Sequence, residues 1–212
     1  MTVKVVLVDD HSVVRSGLRR LLESHKSIEI VAEADTGESA YQVYGEILPD
    51  VMLMDISMPG MGGLEAAKRI LQRYPQARIV IFSMHEAVSF AAQALKTGVK
   101  GYVTKTGVAE DLVQAVLDVA KGRTFLSQDV AQKVALQTLI GDSNPLQQLT
   151  SREFEVFRLL AEGKRVEEVA DMLKISQKTV ANYYTLIKQK LSVNSPVEMV
   201  RLAMKHGLID AA

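Results

Sequence analysis

Four apolar runs in this 212-residue sequence end on residues that can do chemistry. "VVLV" ends on Asp9 and Asp10, "VMLM" on Asp55, "IVIF" on Ser83 and "GYVT" on Lys105. Adjacent carboxylates repel each other, so Asp9 and Asp10 call for a neutralising cation. Lys105 supplies one charge, and a site of two or three carboxylates with room for water suits Mg²⁺. Such a cation can hold phosphoryl oxygens while a free carboxylate attacks phosphorus, which is the chemistry of an aspartyl phosphate. Asp55 is the candidate nucleophile, because the Gly- and Pro-containing loop "DISMPGMGG" leaves its side chain open. A lone acidic strand end is ordinarily a solvated loop or a helix cap. Four matched ends, in order, are not.

The runs themselves say how these residues meet. Val3–Val8, Ile28–Ala34, Val51–Asp55, Ile79–Phe82 and Gly101–Val103 read as five strands. Between them lie segments of helical spacing, such as Leu18, Leu21 and Leu22, or Leu64, Ala67, Ile70 and Leu71. Strand and helix in strict alternation predict a five-stranded parallel sheet covered by helices on both faces. Unbroken apolar strands are those buried on both sides. In such sheets functional groups gather at the carboxyl edge, where these four strands end.

After Gly122 the strand pattern stops. Ser127–Ile140 reads as one helix, and "GDSNPLQQ" as a polar linker. From Thr150 onward the pattern is all helical, with Thr150 and Glu153 spaced as a capping box. "VEEVADMLK", a turn at Ile175 and "QKTVANYYTLIKQKL", N-capped by Ser176, form a helix-turn-helix whose second helix enters a major groove. On that helix Val180, Tyr184, Ile187 and Leu191 share a core face, with Tyr183 at its edge. Lys178, Ala181, Asn182, Thr185 and Gln189 lie opposite. Asn182 suits a bidentate contact to adenine and Thr185 a base or thymine methyl. Lys178, Thr179, Ala181, Lys188 and Lys190 complete the expected DNA-facing set, the lysines beside phosphates. Solvated positions on a helical bundle are the bland alternative. The predicted units are residues 1–121, a linker with one helix over 122–148, and the helix-turn-helix over 149–212.

Charge and composition narrow the classes. Basic and acidic residues number 25 each, but residues 1–124 carry a net −1 and 145–212 a net +2, a bias that permits nucleic acid binding in the tail. There is no cysteine, which excludes disulfides and thiolate metal sites. The start "MTVKVVLVDDH" meets acid too soon for a signal peptide, and no apolar run approaches a membrane span. A soluble cytoplasmic protein is the expectation.

"VDDH", "LMDISMPGMGG", "IVIFS" and "GYVTK" together resemble the receiver domain of bacterial two-component response regulators, over residues 3–121. That resemblance implies a flavodoxin/CheY-like fold and phosphorylation of Asp55 by a sensor histidine kinase. It implies Mg²⁺ held by Asp10, Asp55 and the backbone carbonyl of Ser57, with Asp9 acting through water. Lys105 would pair with the phosphoryl group, Ser83 would move to hydrogen-bond it, and Tyr102 would swing inward as a switch. "LTSREFEVFRLLAEG", "ISQKTV" and "KQKL" resemble the LuxR-type output domain, and the two modules together define the NarL/FixJ class. "LMDISMPGMGGLEA" and "HGLIDAA" are similar to the GacA/UvrY-type global regulators, which usually carry arginines where this chain reads "NYYTLI". The class implies promoter DNA, an inverted repeat and a homodimer formed on phosphorylation.

Two other readings compete. An aspartyl phosphatase commonly needs a second acid two residues after its nucleophile, and Ser57 stands there, which leaves only slow Mg²⁺-dependent self-phosphorylation and dephosphorylation. A receiver acting through protein contacts alone, without sequence-specific DNA binding, is the other.

Overall fold

The computed structural model describes residues 2–140 and 144–209, without side chains for 137–140. Residues 141–143 of the expected linker and the final three of "HGLIDAA" lie outside the described residues. The strands are β1 (Val3–Val8), β2 (Ile28–Ala34), β3 (Val51–Met54), β4 (Ile79–Ser83), β5 (Gly101–Thr104) and β6 (Phe125–Leu126). They pair in parallel in the order β2-β1-β3-β4-β5-β6. The sheet thus has six strands, not five. The sixth lies inside the stretch expected to be linker, and a two-residue strand is too short to show any period.

Helices α1 (Ser12–Glu23) and α5 (Ala109–Ala120) cover one face, with Leu18, Leu22, Leu112, Val116 and Val119 packed on Val5, Leu7, Leu53 and Val103. Helices α2 (Gly37–Ile47), α3 (Gly63–Arg73) and α4 (Val88–Thr97) cover the other, over Val6, Val8, Met52, Met54, Ile79 and Ile81. Each central strand is therefore buried on both sides, as its unbroken apolar run requires. Helix α6 (Gln128–Ile140) lies beside α4 and β5.

The tail comprises α7 (Ser151–Ala161), α8 (Val166–Leu173), α9 (Gln177–Leu191) and α10 (Pro196–Lys205). Its punctuation is local. Thr150 and Glu153 form the expected capping box, Lys174 ends α8 at φ +51°, and Ser176 accepts from the Thr179 N–H to start α9. Val180 and Ile187 are fully buried, and Tyr183 and Tyr184 are half-buried.

The chain before α7 is not a free tether. Asn144 caps a 3₁₀ turn at Pro145–Gln148, and Leu146 and Leu149 are buried. The apolar core under α3 and α4 runs on without a break into the tail through Phe90, Leu146, Phe154 and Phe157.

Candidate functional site

The sheet ladder assembles the acidic site. The Asp55 N–H donates to the Val8 carbonyl (2.8 Å), and the Lys105 N–H to the Ser83 carbonyl (2.7 Å), so the ends of β1 and β3, and of β4 and β5, stand side by side. Lys105 Nζ reaches Asp9 Oδ2 at 2.6 Å and Asp55 Oδ2 at 3.0 Å. Both carboxylates are buried. Lone buried charges at such positions are costly, and a shared ammonium offsets that cost. Burial pushes the Asp55 carboxyl above its usual range, an effect Lys105 only partly offsets. Burial alone would lower Lys105, but its hydrogen bonds and charge pairing with Asp9 and Asp55 hold it above its ordinary value.

Asp9, Asp10 and His11 bring their ligand atoms within 4.8 Å of one another. Asp10 Oδ1 lies 3.0 Å from His11 Nδ1, yet it is enclosed and accepts no hydrogen bond. An enclosed carboxylate oxygen without a donor is what an oxygen-seeking cation would satisfy. His11, for which the motifs imply no site role, also donates its backbone N–H to Asp9 Oδ1 at 2.8 Å.

The loop after Asp55 has little room. A Cβ on Gly63 would collide with the Asp55 carbonyl, and Gly62 adopts φ +70°. Ser57 shares a hydrogen bond with His85 Nε2 at 3.0 Å. Ser83 Oγ accepts from the His85 N–H at 3.2 Å, and the Tyr102 hydroxyl donates to the His85 carbonyl at 2.6 Å. Tyr102, expected to swing inward, is fully buried already, and burial raises its phenol well above the usual range. Burial, with the nearby positive charges of Arg158 and Lys105, lowers His85 to about 4, so its ring is neutral.

Directly against this loop sits the helical tail. Arg152 on α7 donates to the carbonyls of Gly60 (2.9 Å), Met61 (3.3 Å) and Leu173 (2.6 Å), and pairs with Glu155 at 2.9 Å. The Gly60 N–H donates to the Met172 carbonyl at 2.9 Å. Glu155 is so close to Gly62 that a Cβ there would overlap its carboxylate. Ser89 on α4 donates to the His206 carbonyl at 2.7 Å and accepts from Asn144 Nδ2 at 3.3 Å. Nothing in the sequence pattern pointed to this docking.

Lys178, Ala181, Asn182 and Thr185 are exposed on α9, and Thr179 is half-buried at its start. Thr185 donates back to the Ala181 carbonyl at 3.1 Å, and Lys188 lies over the Tyr184 ring at 5.6 Å. Lys190 pairs with Glu153 at 2.6 and 2.8 Å. A cleft of about 250 Å³ next to the α8–α9 turn is lined by Arg152, Lys174, Ile175 and Tyr183 on one side and by Glu38 and the paired Glu65 and Arg69 on the other.

Comparison with known proteins places both halves. Residues 5–117 match the response regulator receiver domain, and residues 147–203 match the bacterial regulatory proteins of the luxR family. "Response regulator GacA" of Pseudomonas aeruginosa is 37% identical over 212 residues, covering 99% of each chain. "Response regulator UvrY" of Escherichia coli K12 is 36% identical over 211 residues, covering 99% of this chain and 97% of its own. The solved structure of RcsB from Salmonella enterica serovar Typhimurium, bound to promoter P1flhDC in the presence of the phosphomimetic BeF3-, superposes with a TM-score of 0.72 at 26% identity. It covers 97% of this chain and all of that one. No helix among the described residues is long and apolar enough to cross a membrane. With both modules matched in order and full-length relatives at this identity, the chain belongs to the two-component response regulators that join a receiver to a LuxR-family DNA-binding domain.

Proposed function

We propose that Asp55 accepts a phosphoryl group from a sensor histidine kinase in the cytoplasm and that this event switches on promoter binding by the tail. The observation that carries this is Lys105 bridging buried Asp9 and Asp55 beside an unsatisfied Asp10 oxygen. In its ionised form the Asp55 carboxylate oxygen attacks phosphorus, a P–O bond to Asp55 forms, and the bond to the donor breaks as the donor leaves. Asp9, Asp10, Asp55 and the Ser57 carbonyl would hold Mg²⁺, which supplies positive charge on the phosphoryl oxygens. Lys105 moves its pairing from Asp55 to the phosphoryl group, and Ser83 Oγ turns toward it. Water attacking the phosphorus then breaks the P–O bond to Asp55, releases inorganic phosphate and restores the carboxylate, a slow self-dephosphorylation.

The units that do this are a receiver over 1–121, a connection over 122–148 and a DNA-binding domain over 149–212. In the docked arrangement the α8–α9 turn faces α2 and α3 across the cleft, where Glu65 is paired with Arg69 at 2.9 Å, so receiver side chains stand in front of that turn. Once the domains separate, a C2 dimer presents two α9 helices to an inverted repeat, with Asn182 and Thr185 on base edges and Lys178 beside phosphate. The test is selection of genomic fragments by the purified chain, with and without a small phosphodonor and Mg²⁺. Enrichment of one inverted repeat after phosphorylation is the expected result. A phosphorylated chain that enriches nothing would move the function to protein contacts.

A further inference from the structure

We propose that His85 is the positioning residue that couples the phosphoacceptor pocket to the docked output domain, through its ring stacked on Phe90 against Phe154. The proposal rests on the phosphorylation reading above and names the part that transmits it.

Three ties fix His85 within the receiver. Its N–H donates to Ser83 Oγ, its carbonyl accepts from Tyr102, and its Nε2 shares a hydrogen bond with Ser57, two residues beyond Asp55. A fourth tie leads out. The imidazole lies parallel to the Phe90 ring, with centroids 3.8 Å apart and an interplanar angle of 3°. Phe90 in turn meets Phe154 of the output domain edge-on at 5.2 Å and 89°. Phe90 and Phe154 are both buried, so the three rings make one continuous stack across the domain boundary.

Tyr102 is inside and donates to the His85 carbonyl in the docked arrangement, so its entry is not the step that would undo the docking. Ser83 is the group left to move. When Ser83 Oγ turns to a phosphoryl group on Asp55, the His85 N–H loses its acceptor. A partly buried amide does not stay unpaired, so the segment at His85 must re-seat. Shifting that segment withdraws the imidazole from Phe90 and loosens Phe90 from Phe154. The same displacement strains the Ser57 bond, which links the loop gripped by Arg152 to the stack.

The experiment measures the radius of gyration of the full chain in solution without phosphodonor, together with its affinity for sheared genomic DNA. A docked chain of this length has a radius of about 17 Å. His85→Ala removes the ring, and it should raise the resting radius and bind DNA roughly tenfold more tightly than the wild type at rest. His85→Phe keeps a ring on Phe90 and should restore the resting compactness, which mere loss of local structure would not allow. Phe154→Leu removes the stack from the output side and should open the chain as His85→Ala does, so the test survives if the alanine variant fails to fold. Resting compactness and DNA affinity equal to wild type in both His85→Ala and Phe154→Leu would overturn the proposal. So would an open His85→Phe. A wild type that stays compact when Asp55 is phosphorylated, beside an open His85→Ala, would overturn the coupling and leave His85 as a docking contact alone, whereas a wild type that takes up no phosphoryl group on Asp55 would fault the phosphorylation reading itself.

Discussion

Asp55→Ala should take up no phosphoryl group from a small phosphodonor with Mg²⁺, and its DNA binding should stay at the resting level whether or not the donor is present. The reason is geometric. Asp55 is the carboxylate at the end of the central strand β3, between Asp9 on β1 and Ser83 on β4, so it stands among the groups that would receive phosphoryl oxygens. The fold should survive the change. Lys105 keeps its 2.6 Å partner in Asp9, so no buried ammonium is left unpaired, and the Asp55 N–H to Val8 bond is made by the backbone. Intact-mass measurement after donor treatment reads the first effect, and fragment selection reads the second. A phosphoryl group on Asp55→Ala would place the chemistry on another residue. Full promoter activation by that variant in cells would break the link between phosphorylation and output.

The difference in thermal midpoint between Glu155→Gln and the wild type should grow as pH rises from 5 to 8. Burial at the domain interface pushes the Glu155 carboxyl from its ordinary 4.5 up to about 7, even though Arg152 lies at 2.9 Å. Arg158 on the same helix also lowers it, and Glu65 on α3 raises it. A carboxyl raised in the folded state contributes stability that is fully present below pH 4.5 and is lost as pH climbs through 7. The loss amounts to about 3 kcal/mol, or on the order of 5–10 °C in midpoint. His85 runs the other way. Its pKa is depressed to about 4, so its contribution is present above 6.5 and is lost as pH falls through 4. In the wild type the two slopes oppose each other across the same window, and the curve is flatter than either group alone would give. The Glu155→Gln variant has no titrating proton at this position while His85 is unchanged, so subtracting the curves isolates Glu155. A difference that stays constant from pH 5 to 8 would mean the carboxyl is not held protonated at the interface.

How much of this was legible depended on whether a feature is local. Strand ends were legible because a polar residue after an unbroken apolar run marks the carboxyl edge, and Asp9, Asp55, Ser83 and Lys105 meet through neighbouring strands as the order of elements requires. Caps were legible for the same reason, since Thr150, Glu153 and Ser176 act within one turn. Strand β6 was not, because Phe125 and Leu126 are too few to show alternation. Asn144, Leu146 and Leu149 sit in a polar stretch that composition marks as linker, yet they are buried by contact with α4. The pairing of Lys190 with Glu153 was not legible, because helical spacing carries no record of a partner on another helix. Arg152, Glu155 and His85 went unnoticed altogether. Their roles arise where two folded surfaces meet, and a periodic pattern on either surface carries no record of the other.

The most direct single measurement is solution scattering on the wild-type chain before and after phosphorylation, with occupancy of Asp55 read by mass on the same sample. The resting chain should have the radius of a docked globule, about 17 Å. Full phosphorylation should raise it as Arg152 and Glu155 release the Gly60–Gly62 loop. A fully phosphorylated chain with an unchanged radius would contradict the release of the output domain and leave the docked form as the one that meets DNA.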